Sequence, residues 1–178
     1  MSTPSNESIH AMGGDAGQSA APPDAAQYLT FLLAGEEYGV EILRVQEIKG
    51  WEGVTRVPHT PRHLLGVMNL RGTVVPVVDL RARFGLPQVA LGAGHVVIVV
   101  RVHVARGEKT VGVVVDGVSE VYHFAASDIQ PPPQVRALAD PTLIAGLASA
   151  ADKMVMLLDI DRLIATSIEA EPATARTH

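Results

Sequence analysis

The sequence predicts a mainly β fold built from two related copies of a small unit, and three observations carry that prediction. Hydrophobic residues make up 47% of the chain and aromatics only 4%, so the core is aliphatic, and runs such as Val96-Val97-Ile98-Val99-Val100 favour strands over helices. Residues 66–79 read as a β-hairpin, with β-branched arms on either side of Arg71-Gly72. Glycine accepts the positive φ of a tight reversal, so Gly72 fixes the turn and Arg71 is displayed at its tip. Third, the chain repeats itself. Gly39, Val40, Val45, Glu47 and Ile48 match Gly112, Val113, Val118, Glu120 and Val121 at an offset of 73, and Gly66, Val75, Val77 and Asp79 match Gly146, Val155, Leu157 and Asp159 at an offset of 80.

Taken in order, residues 1–26 are rich in Ser, Gly, Ala, Pro and Asn and bury too little to repay their ordering, so a mobile tail is expected, as it is for 167–178. The folded part is expected over 27–166. Strands are predicted at 28–33 and 38–42 around a short connection at Ala34-Gly35-Glu36-Glu37, with a third at 45–48. Pro58 and Pro61 interrupt the pattern before the central hairpin. Pro76 lacks a ladder donor, which places the second arm of that hairpin at a sheet edge or a bulge. One helical turn is predicted at 80–84, ended by Gly85 and Pro87, as a satellite of the sheet; 159–166 is the longer helix. Gly92-Ala93-Gly94 links the copies, and the seven-residue difference between the two offsets falls on the loop Gln130-Pro131-Pro132-Pro133-Gln134. Five short strands per copy are too few to cover two faces and curl into a small barrel, the first over about 28–84 and the second over about 94–164.

The duplication also supplies an internal control. Arg71-Gly72 aligns with Ala151-Asp152, so the turn itself does not require arginine. Arg71 is therefore the leading functional residue, and Glu47, on the strand before the hairpin, is its natural ionic partner.

Several motifs together, Asn69-Leu70-Arg71-Gly72, Val77-Val78-Asp79-Leu80-Arg81, Glu37-Tyr38-Gly39-Val40, Val45-Gln46-Glu47-Ile48 and Val114-Val115-Asp116-Gly117-Val118-Ser119, resemble in order and spacing the CheW family of bacterial chemotaxis adaptors, over residues 28–164. The resemblance implies two SH3-like five-stranded barrels packed side by side, with short helices and a C-terminal helix. It implies a non-catalytic adaptor without cofactor that couples chemoreceptors (methyl-accepting chemotaxis proteins) to a CheA-type histidine kinase through the kinase's regulatory barrel domain. It implies a groove between the barrels in which a receptor's helical tip can lay an amphipathic face, with Ile42, Val45, Ile48 and Leu70 as the expected apolar contacts and Glu47 with Arg71 at the family positions that shape the surface. Gln130 and Val135 fall in the family's kinase-docking region, where the position of Val135 can be aromatic.

Composition narrows the other classes. No apolar run reaches the roughly 18 to 20 residues that span a bilayer, and no Lys or Arg precedes Arg44, so neither a membrane span nor a secretory or transit leader is read here. A cytoplasmic protein recruited to the membrane through receptors is the expectation, and the absence of cysteine fits it. Net charge is -5, yet between residues 53 and 107 Asp79 is the only acid against seven arginines, a band suited to an acidic partner. Thin aromatic supply argues against nucleic acid. His59 and His63 stand at i and i+4, but Pro61 lies between them and no metalloprotease glutamate follows, so no metal site is expected. Asp79, Asp116 and Asp159 end apolar strands and are read as caps of the next turn, not as acid–base groups. A small ligand-binding or catalytic barrel using these histidines and aspartates is the second hypothesis, and a detached regulatory lobe of the kinase the third.

Overall fold

Short reversals and β-branched runs set the strands. The computed structural model describes residues 24–132 and 140–168. Ala34-Gly35, with φ of 52° and 81°, joins β1 (Ala26–Leu33) to β2 (Glu36–Glu41), and Arg71-Gly72, with φ of 51° and 87°, joins β4 (Leu64–Leu70) to β5 (Thr73–Asp79). Positive φ at both residues gives the twist that a two-residue hairpin needs. Between these hairpins runs β3 (Val45–Gly50), and α1 (Leu80–Arg83) follows β5. The second half contributes β6 (Val96–Val104), β7 (Gly107–Val115), β8 (Gly117–Phe124), β9 (Ile144–Ala150), β10 (Lys153–Leu158) and α2 (Ile160–Ile168). The fold is mainly β, as two five-stranded sheets in side-by-side subdomains.

The two sheets are not the two sequence copies, which corrects the expected barrels at 28–84 and 94–164. One sheet, A, has the order β8-β1-β2-β10-β9, and the other, B, has β3-β6-β7-β5-β4. Each sheet thus takes the first two strands of one copy and the last three of the other. The cause is chain length at the crossings: only Asp116 separates β7 from β8, and a hairpin needs at least two residues to reverse, so β8 runs straight on into sheet A. The three-residue turn Ile42–Arg44 sends β3 into sheet B in the same way. Parallel pairs, Leu157 with Gly39 and Val77 with Gly112, knit the copies together at equivalent points. At both glycines a Cβ would fall 2.9 Å from a packed side-chain carbon, Leu157 Cδ2 or Val97 Cγ1.

The sheets curl, and short bridges draw their outer strands in. Thr55 pairs with Val67 on β4 through two backbone hydrogen bonds of 2.8 Å, and Gln130 pairs with Leu147 on β9 through two more of 2.8 Å. Gly66 and Gly146, matched at an offset of 80, sit beside these bridges, where only the absence of a Cβ lets the closing segment approach. Pro76 lies in β5, an interior strand of sheet B. The parallel ladder with β7 begins one residue later at Val77, so at Pro76 the strand is paired on one side only and no donor is missed.

Three cores result. Tyr28, Phe124, Val155 and Leu157 fill the inside of sheet A, while Val77, Val97, Val99 and Val114 fill sheet B. A larger core between the sheets holds Phe31, Leu33, Val40, Ile98, Val100 and Val113. The helices belong to that shared core and are not satellites: Leu80 of α1 and Leu163 and Ile164 of α2 are fully buried in it. Asp79 accepts from the Arg81 amide and Asp159 from the Arg162 amide, which starts each helix after its strand. The C-terminal boundary also moves. α2 continues to Ile168, and Ser167 is buried with its hydroxyl donating to the Leu163 carbonyl at 2.6 Å. At the other end β1 begins at Ala26, while the expected tails over 1–23 and 169–178 lie outside the described residues.

Candidate functional site

The reversal between β4 and β5 is held by its own sequence. The Asn69 side-chain oxygen accepts from the Gly72 amide at 2.8 Å, so Asn69 pins the turn while Arg71 takes left-handed backbone. Leu70, the residue between them, packs into the core of sheet B with Trp51, Val54 and Met68. Arg71 is 79% exposed, and its Nη2 lies 3.1 Å from the Glu47 carboxylate, which is 24% exposed. Glu47 stands on β3 and Arg71 at the end of β4, the two outer strands of sheet B, so the pair crosses the seam where the barrel closes.

β3 presents a second face beside this pair. Val45 stands opposite Val100 and Ile48 opposite Ile98, both residues of the shared core, whereas Glu47 stands opposite Val99 of the sheet B core. A register shift between Val45 and Glu47 puts Val45 and Ile48, three residues apart, on one face; a regular strand would send them to opposite faces. Ile42 and Val45 are partly buried against the shared core, and Ile48 is exposed. The structure therefore brings Ile42, Val45 and Ile48 together along the boundary between the subdomains, places Glu47 and Arg71 on the adjoining rim, and sets Leu70 beneath Arg71, inside sheet B's barrel.

Sequence reasoning missed Leu43. It is 91% exposed on the turn Ile42–Arg44, yet that turn is anchored, because the Arg44 guanidinium pairs with Asp161 of α2 at 2.7 Å. A held, solvated leucine next to Ile42 extends the apolar strip. The other missed element is the ion pair of Arg81 and Asp116, with Nε to Oδ1 at 2.9 Å and Nη2 to Oδ2 at 2.6 Å; Asp116 also accepts from the Ala34 amide at 2.8 Å. Asp116 is thus not the expected cap of the next turn but a clamp across the subdomains. The duplication held the signal. Arg81 maps onto Asp161 at an offset of 80 and Asp116 maps within one residue of Arg44 at 73, so the two clamps are counterparts with their charges exchanged.

The hydrogen bonds from Arg81, more than the Ala34 amide, hold the Asp116 carboxyl below the ordinary carboxylate range against the opposing effect of burial. A depressed carboxyl stabilises the fold above the unfolded-state value and loses that contribution as pH falls through the folded-state value. Asp116→Asn is expected to cost about 1.5–3 kcal/mol at neutral pH, since it removes the charge and one of the two oxygens that accept from Arg81. Urea unfolding of both proteins across pH checks this: the gap should stay constant at neutral pH and close below about pH 4.

The remaining predicted groups are scattered. Gln130 is exposed and its backbone closes sheet A, while Val135 lies outside the described residues. His59 is exposed at a φ of 60°, and His63 donates from Nε2 to the Ser167 carbonyl at 2.8 Å. In the basic band, Arg81 and Arg83 are committed to intramolecular bonds, whereas Arg56 and Arg62 line a cleft of about 740 Å³ between the loops around residues 53–62 and 88–91.

The comparisons with known proteins agree on one family. The family model described as a CheW-like domain matches residues 27–167. The chain is 41% identical over 140 residues to the chemotaxis protein CheW of Klebsiella aerogenes, covering 79% of this chain and 82% of that one. It is 35% identical over 147 residues to the probable chemotaxis protein CheW of Rhizobium etli, covering 83% and 92%. Among solved structures, the scaffolding protein TtCheW from Thermoanaerobacter tengcongensis superposes with a TM-score of 0.70 at 32% identity, covering 80% of this chain and 89% of that one.

Proposed function

This chain belongs to the family of CheW-like domains, and from that premise we propose that it is a non-catalytic chemotaxis adaptor coupling the cytoplasmic tips of chemoreceptors to a CheA-type histidine kinase. The observation that carries the reading is the junction of an apolar strip, Ile42, Leu43, Val45 and Ile48, with the pair of exposed Arg71 and partly buried Glu47. A helical receptor tip offers apolar residues at i, i+3 and i+4 with polar residues beside them, which suits such a strip with a charged rim. Leu70 acts by supporting the turn that carries Arg71. Gln130 and Val135 belong to the kinase contact, made through the kinase's regulatory barrel domain. No helix among the described residues is long and apolar enough to cross a membrane, and in this proposal the adaptor works in the cytoplasm and reaches the membrane through receptors.

Co-sedimentation of the chain with receptor signalling fragments and with kinase, each alone and together, tests the proposal. Binding to both partners, and a rise in receptor-dependent kinase activity on adding the chain, is expected. Absence of receptor binding with the fold intact would overturn it.

A further inference from the structure

The two barrels differ at their mouths in a way that the duplication makes legible. In sheet B the mouth carries Glu47 with Arg71 upon it. The counterpart of Glu47 in sheet A is Glu120, at an offset of 73, and the counterpart of Arg71 is Ala151, at 80. Sheet A thus keeps the carboxylate and has lost the guanidinium. It has also gained a second acid, since Glu37 stands where sheet B has Thr110.

Glu37 is the anomaly of the molecule. Its side chain is 4% exposed, and its Oε2 is the one buried side-chain oxygen that lacks a hydrogen-bond partner among the described residues. The ion pair it makes among them is with Lys153 Nζ at 3.6 Å, on a side chain that is 69% exposed and so held weakly. A buried carboxylate oxygen left in that state is costly, and the strand position gives no reason for it, because Thr110 serves in the twin.

Strand alternation gathers the neighbours. On β8, Glu120 and Tyr122 share the face of Phe124, which is buried inside sheet A, and on β10 Lys153 shares the face of Val155 and Leu157. Glu37 stands opposite Leu32 on β1 and Val155 on β10. On that face the Tyr122 ring stacks with Phe124, centroids 5.9 Å apart, and burial together with the carboxylates of Glu120 and Glu37 pushes its phenol up. Glu120 is fixed through its backbone, its amide donating to Thr30 Oγ1 at 3.1 Å and its carbonyl accepting from that hydroxyl at 2.9 Å; its side chain has no ion pair among the described residues. Two carboxylates and an aromatic face, with a single loosely held ammonium, thus belong to the inward face of sheet A.

We propose that the mouth of sheet A is a socket for an arginine side chain presented by a partner protein, with Glu37 and Glu120 as its carboxylate contacts and the Tyr122 ring as its stacking face. Lys153 is the resident cation that the incoming guanidinium displaces. Arginine fits better than lysine because its planar fork spans two carboxylates and stacks on a ring, whereas an ammonium is a point charge. The twin barrel shows the same solution in cis, Arg71 on Glu47. This site lies on a different subdomain from the receptor surface proposed above and does not depend on that reading.

The test is a titration of the full chain with N-acetyl-arginine-N-methylamide, followed by the side-chain carboxyl carbon resonances. Saturable shifts are expected at Glu37 and Glu120, with Glu47, already occupied by Arg71, unmoved as the internal control. The lysine analogue should bind more weakly and the norleucine analogue not at all. Glu37→Gln should weaken binding about tenfold or more, and Glu120→Gln, at an exposed position that leaves the core untouched, about threefold or more. Lys153→Met should tighten it, because the internal competitor is gone. Parallel, non-saturating shifts at all carboxylates, no saturation at the highest soluble concentration, binding unaffected by both glutamine variants, or weakening by Lys153→Met would overturn the proposal.

Discussion

Gly66→Ala is expected to destabilise the chain by about 3–5 kcal/mol, a large part of the roughly 5–15 kcal/mol that holds a domain of this size. Gly66 adopts a φ of 151°, and a Cβ there would collide with the carbonyl of Thr55 and come within 3.1 Å of Arg56 Cα. Those atoms are backbone and cannot rotate away. Relief requires the closing segment to withdraw, which breaks both hydrogen bonds between Thr55 and Val67, at about 1 kcal/mol each, and opens the seam where Glu47 meets Arg71. Backbone strain at a residue forced into a sparsely populated region adds about 1–3 kcal/mol. Gly72→Ala is the control. Its φ of 87° is also unfavourable for a side chain, but no atom lies within 4 Å of the added Cβ, so a loss of about 1 kcal/mol is expected from conformation alone. Urea unfolding of both variants separates the steric from the conformational contribution; equal losses would show that the approach of Thr55 is not what requires glycine at Gly66.

What the sequence could reveal follows from the range of each interaction. The strands of the first half, the Arg71-Gly72 turn and the helices after Asp79 and Asp159 are written in local pattern, and they stand within about two residues of where that pattern puts them. Membership of each sheet is not local: a repeat of 73 or 80 residues shows that two units are alike but not which halves pair. That is decided by whether β7 and β8 have room to reverse, and Asp116 alone gives none. The Glu47–Arg71 pair was legible because the motif and the altered twin at Ala151 both pointed to it. Leu43 was not, because a leucine in a turn becomes informative only once Arg44 is seen anchored on Asp161, 117 residues away in sequence.

Arg71→Glu is expected to weaken receptor binding by more than tenfold while leaving stability within about 1 kcal/mol, because the side chain is 79% exposed and a surface ion pair contributes little to folding. Arg71→Ala should leave the fold unchanged and weaken coupling less, since it removes attraction without adding repulsion. The informative variant is the exchange Glu47→Arg with Arg71→Glu. If the pair mattered only as a brace across the seam, reversing it would restore binding, because the two charges still meet. The geometry argues otherwise: Glu47 is 24% exposed and sits lower on the rim, so the exchange moves positive charge away from the tip and puts a carboxylate there. Binding is therefore expected to stay lost in the exchanged protein, as measured by receptor co-sedimentation and receptor-dependent kinase activity. Recovery would mean that Arg71 acts through Glu47 as a brace, whereas full binding and activation by Arg71→Ala would remove the guanidinium from the receptor surface altogether.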